Sequence, residues 1–166
     1  MLIRLLSLVC LISVSQLSLT QQSGSARPHA PGRCPVTQVS DPPFVAPSPY
    51  PAKAPGGSFW FGTDRLWTIL RSDATWPREE KTFWWRQDWL RYKSDIPQSE
   101  ASKLMVTAKR LDIPAPPAKF SIGLGGYRED WKSFLVGGID FPTPGCWEIS
   151  AHYEDDELTF IIWVAK

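Results

Sequence analysis

A chain of 166 residues with a formal net charge of +1, its lysines and arginines interleaved with acids, lacks the electrostatic footprint of a nucleic-acid binder. Sixteen prolines, eleven glycines and nine tryptophans point to short extended segments joined by turns, and away from a helical protein. Neither GxGxxG nor GxxxxGK(S/T) occurs, which excludes the two common phosphate-cradling motifs, and no cofactor is expected.

At the start, Met1 to about Thr20 carries one early positive charge, Arg4, then the apolar run Leu5 to Val14, then polar residues. That is the layout of a secretory signal peptide, with cleavage open between Thr20, Ser25 and Ala26. The apolar run is about half of the roughly 20 residues needed to span a bilayer, so no stable membrane insertion is expected after cleavage. Val9 stands before Cys10 where a lipoprotein signal needs a small residue, which argues against a lipid anchor at Cys10. The expected location is secreted, periplasmic or at the cell envelope.

Loss of the leader leaves Cys34 and Cys146. In an oxidising compartment an even pair is most simply a disulfide. Free or metal-binding thiols are the alternative, but no CxxC or Cys/His spacing supports them. About 140 residues then remain, enough for one domain with a core of its own.

Residues 27–57 form a proline-rich arm. Nine of the sixteen prolines lie between Arg27 and Ser58, a composition that gives extended polyproline-like chain. A bridge from Cys34 to Cys146 would strap this arm across the domain, with Phe44 and Tyr50 as anchors. The domain proper is expected over residues 58–166. Ser58 to Leu70 reads as two short strands broken at Gly62, Thr63 and Asp64. Lys81 to Arg91, KTFWWRQDWLR, reads as strand because of its aromatic content, the alternative being a helix over Glu79 to Leu90. Leu104, Val106 and Ala108 alternate with Met105, Thr107 and Lys109, a strand that ends near Arg110. Further strands are expected at Phe120 to Ile122, with a turn at Gly123, Gly125 and Gly126, and at Phe134 to Phe141, broken at Gly137 and Gly138.

The last stretch, Phe141 to Ala165, has the clearest pattern. Trp147, Ile149, Ala151 and Tyr153 alternate with Glu148, Ser150, His152 and Glu154, as a half-buried strand requires. After the acidic tip Glu154 to Glu157, the run Leu158 to Val164 returns as a strand apolar on both faces. Seven or eight short strands without helical periodicity predict an all-β, antiparallel sandwich of immunoglobulin-like type.

Candidate chemistry is sparse. Of two histidines, His29 lies in the arm and His152 on the polar face of the terminal hairpin, and there is no GxSxG elbow. No catalytic residue is assigned, and no enzyme is expected. Four consecutive acids in a tight turn cannot all face one calcium ion, so no metal site is expected. Tryptophan is the surplus: Trp84, Trp85 and Trp89 are interleaved with Arg86 and Arg91. Adjacent Trp84 and Trp85 in a strand must point to opposite faces, so one of them needs cover from the arm, an arginine or a ligand. Exposed indoles suit sugar rings or proline-rich peptides, which makes Trp84, Trp85, Arg86 and Trp89 the candidate ligand-binding set.

The pieces KTFWWR, LMVTAKRLDIPAPP, GIDFPTPGCWEISAHY and LTFIIWV resemble a family of uncharacterised secreted bacterial proteins. The resemblance implies a sandwich fold and brings no catalytic residue with it, since fold alone does not give function. Two classes stay open: a secreted non-catalytic binding or surface-structural module, its partner a glycan or cell-envelope protein, and a secreted hydrolase with a site among Asp64, Asp88 and His152.

Overall fold

The computed structural model describes residues 32–166, which build two sheets packed face to face. The expected signal peptide, Cys10 and His29 lie outside the described residues. The strands are β1 (Ser58–Gly62), β2 (Trp67–Arg71), β3 (Thr75–Trp76), β4 (Glu79–Trp85), β5 (Leu104–Arg110), β6 (Lys119–Arg128), β7 (Lys132–Asp140), β8 (Gly145–Tyr153) and β9 (Asp156–Val164). A five-stranded sheet has the order β1-β2-β4-β7-β6 and a four-stranded sheet the order β3-β9-β8-β5. All pairings are antiparallel except β3 with β9, which is parallel. Among the described residues no helix is long and apolar enough to cross a membrane.

Period-two alternation creates the core between the sheets. Trp147, Ile149, Ala151 and Tyr153 of β8 face inward with Leu158, Phe160, Ile162 and Val164 of β9, and Trp84, Leu135 and Ile139 meet them from the larger sheet. The terminal hairpin pairs without interruption from Gly145↔Val164 to Tyr153↔Asp156, as its pattern predicts.

Three local expectations change. The run KTFWWRQDWLR is strand only to Trp85, and Gln87–Arg91 closes into a 3-10 turn that buries Trp89. Gly137 and Gly138 do not break β7, because Thr82 and Phe120 close over Gly137 so tightly that a side chain there would collide with them. Gly123, Gly125 and Gly126 lie inside β6, where a bulge between Ile122 and Gly125 absorbs the irregularity that the sequence suggests as a turn.

The larger sheet is apolar on both faces. Its outer face carries Trp60, Trp67, Trp85 and Phe134, and the proline-rich arm lays Ala46 and Tyr50 over them as a second core. The arm starts on the other sheet. Cys34 is bonded to Cys146, with a Cα–Cα distance of 5.5 Å, as expected for an even pair. Thr37 then docks on the edge of β9, donating its amide to the Ile161 carbonyl and accepting the Ile161 amide on its hydroxyl, both at 2.8 Å. The arm is thus an ordered strap from one sheet to the outer face of the other.

Candidate ligand-binding cleft

The four residues with the strongest sequence claim to a binding face are not on the surface. Trp84, Trp85 and Trp89 have no exposed area, and Arg86 keeps 6% of its own. This corrects the expectation of a contact face at Trp84, Trp85, Arg86 and Trp89. The reason is the alternation itself: Trp84 enters the inter-sheet core, and Trp85, on the opposite face, is covered by the arm. Their indole donors are also occupied, Trp84 Nε1 by Thr82 Oγ1 at 2.8 Å and Trp85 Nε1 by the Trp131 carbonyl at 3.0 Å.

Arg86 belongs to a buried polar network at one end of the sandwich. Its guanidinium sits 4.1 Å from the centre of the Tyr153 ring and donates to Asp156 at 2.5 Å and to Asp88 at 3.0 Å. Burial alone would lower its pKa, but the hydrogen bonds to Asp88 and Asp156 outweigh this and raise it. Arg65 pairs with the same Asp156 at 2.8 Å. The acidic tip is therefore a structural clasp at Asp156, not only a wet turn. Beside it the Tyr153 hydroxyl donates to Glu100 at 2.5 Å. Burial and Glu100 push the Tyr153 hydroxyl up to about 12, and the same bond, with help from Lys103, lowers the Glu100 carboxyl. Every group here is matched by a partner in the chain, which is the signature of a structural network.

The residues weighed for hydrolysis do not converge. His152 lies on the outer face of the smaller sheet, 3.7 Å from Glu157 and opposite Met105. Asp88 is tied to Arg86, and Asp64 is exposed in the turn between β1 and β2. Among the described residues no cluster of three or more His, Cys, Asp or Glu side chains has metal-holding geometry.

An open feature lies elsewhere, on the outer face of the five-stranded sheet. After β2 the chain crosses to the smaller sheet, forms β3 against β9, and returns as β4. This detour draws β2 and β4 apart, so they share only the register pairs Trp67↔Trp85 and Thr68↔Trp84. The gap is a cleft of about 720 Å³. Phe83, Trp131 and Ile69 form its apolar lining, Trp76 reaches it from the interior, and the end of the arm, Pro55 to Ser58, makes one wall. Arg71, Asp73, Glu80 and Lys81 supply charge at the rim. Arg71 pairs with Asp73 at 3.3 Å. Burial raises the Glu80 pKa, and Arg71 opposes that shift only in part.

The indoles differ in a telling way. Trp60, Trp84, Trp85, Trp89 and Trp147 all donate to acceptors within the chain. Among the described residues Trp67, Trp76, Trp131 and Trp163 have no such acceptor; Trp67 is sealed under the arm, and Trp76 and Trp131 line the cleft. Trp131 is held in place by Phe83 at 5.3 Å and Phe134 at 5.6 Å between ring centres, with Arg128 stacked 5.0 Å over its ring. Sequence reasoning passed over Trp131 because it stands alone between charged residues, while the WW pair at 84 and 85 drew attention; only the sheet pairing reveals which indole stays open.

Comparison with family models, with curated proteins and with solved structures returns no match. The functional reading therefore rests on the geometry of this chain.

Proposed function

We propose that this protein is a secreted, non-catalytic binding module on an immunoglobulin-like scaffold, and that its contact surface is the cleft between β2 and β4. The observation that carries this reading is the cleft itself: about 720 Å³, with half-buried aromatic side chains as its floor and charged side chains at its rim. Binding sites typically combine a concave apolar surface with a few placed polar groups. The strap supports the reading, since the end of the arm, tied to the sheet by the Trp60–Pro51 hydrogen bond, forms one wall of the cleft without a ligand.

An array carrying both glycans and extended peptides, probed with the oxidised protein, tests the proposal. Retention of a defined ligand, lost in Trp131→Ala but kept in Met105→Ala on the far sheet, is the expected result. Turnover of an ester or glycoside substrate that disappears in His152→Ala would overturn it in favour of a hydrolase, and an array with no retained ligand would remove its support.

A further inference from the structure

Resting on the reading of the cleft as a binding site, we propose that its ligand is an extended, proline-rich segment of a separate polypeptide. The chain itself shows how this sheet face holds a proline-rich segment, there folded into a turn at Pro47 to Tyr50. On the adjoining part of the same face, Trp60 Nε1 donates to the Pro51 carbonyl at 2.9 Å and Gln87 Nε2 donates to the Ser48 carbonyl at 3.0 Å. Tyr50 of the arm meets Trp67 edge-on, with ring centres 4.9 Å apart. The arm's Pro51 and Ser48 carbonyls accept from this face, and its Tyr50 hydroxyl donates back to the Arg86 carbonyl at 3.0 Å. Aromatic grooves that read polyproline chain use the same carbonyl acceptors, since proline lacks an N–H but keeps its carbonyl.

The cleft continues that seat with the same chemistry. Its wall is the end of the arm, Pro55 to Ser58, and its lining adds two indoles, the half-buried Trp131 and, from the interior, Trp76 at 3% exposure, whose N–H groups have no acceptor among the described residues. Acceptors are fewer than donors: Glu80 offers a carboxylate at the rim, while Asp73 is engaged by Arg71 and by the Thr75 amide and the Thr82 hydroxyl accepts from Trp84. A donor-rich aromatic floor suits a ligand that offers carbonyls and no N–H groups. A sugar presents hydroxyls that need acceptors as well. A polyproline chain is also rigid before it binds, so little order is lost on docking. The arm of a second copy is not available as occupant, because each arm is held by its own disulfide and its own sheet.

The test follows the tryptophan indole N–H signals by two-dimensional NMR of the oxidised protein. The titrants are a ten-residue oligoproline, a peptide of residues 41–55, and, as the sugar arm, cello- and xylo-oligosaccharides. Saturable movement of the Trp76 and Trp131 signals with the peptides, with the Trp84 and Trp147 signals still, is the expected result. Trp131→Phe, which keeps an aromatic ring for packing but has no N–H, should weaken peptide affinity about tenfold. Movement with the oligosaccharides and not with the peptides would overturn the proline-rich ligand while leaving the binding module intact. No movement with either would overturn both readings. Concentration-dependent movement of the same two signals without any titrant would also overturn this proposal, by showing that a second copy fills the cleft.

Discussion

The indole of Trp60, on β1, donates its hydrogen to the backbone carbonyl of Pro51, in the arm, at 2.9 Å. This bond ties an otherwise irregular segment to the sheet and lets Ala46 and Tyr50 seal Trp67 and Trp85 from water. Trp60→Phe keeps the ring but leaves the Pro51 carbonyl without its donor, which should lower stability by about 1–3 kcal/mol. Trypsin cleavage after Lys53, exposed in the arm, should quicken in parallel. An unchanged cleavage rate would show that this bond does not hold the arm.

The Cys34–Cys146 bridge closes a separation of 112 residues. In the chain-entropy model a loop of this size is worth up to about 4–5 kcal/mol. Cys34→Ser, or reduction of the native protein, should therefore lower the melting temperature, as read by calorimetry. Equal melting with and without reductant would remove the strap from the list of stabilising features.

Asp156 and Asp88 both receive hydrogen bonds from Arg86, yet they should respond differently to removal. The Asp156 side chain is 11% exposed and that of Asp88 41%. Asp156→Ala strands the buried Arg86 guanidinium and should cost about 3–5 kcal/mol, while Asp88→Ala should cost less than about 1 kcal/mol. Chemical denaturation of the two variants side by side gives the comparison; similar losses would mean that Arg86 is solvated well enough to do without Asp156.

Burial raises the pKa of Glu80 in the folded state above its unfolded value. A carboxyl raised in this way contributes its stability below the unfolded pKa and loses it as pH rises through the folded pKa. Glu80→Gln, which cannot ionise, should match the native protein in mildly acidic solution and exceed it near neutral pH. Melting curves across that range check the sign: a variant less stable near neutral pH would mean that the Arg71 attraction outweighs burial.

Much of the scaffold was legible along the chain, and one physical reason explains it. A strand repeats every two residues, so Trp147, Ile149, Ala151 and Tyr153 declare a buried face whatever they pack against. The alternation of Leu104, Val106 and Ala108 placed β5 in the same way, and with Cys10 assigned to the expected leader the two remaining cysteines left one simple pairing. The prolines of the arm ruled out a helix but were silent on where the arm lies.

What the tertiary structure alone decided was exposure. Trp84 and Trp85 looked like a platform because the sequence shows aromatic residues but not their cover, which comes from β9 some 75 residues later and from an arm some 35 residues earlier. The cleft likewise depends on β3 leaving one sheet for the other, a crossing made by two residues with no pattern of their own. Local periodicity determines which side of a strand is apolar. Which apolar surface stays open is settled only when distant segments meet, because burial is a property of the assembled layers and not of any one of them.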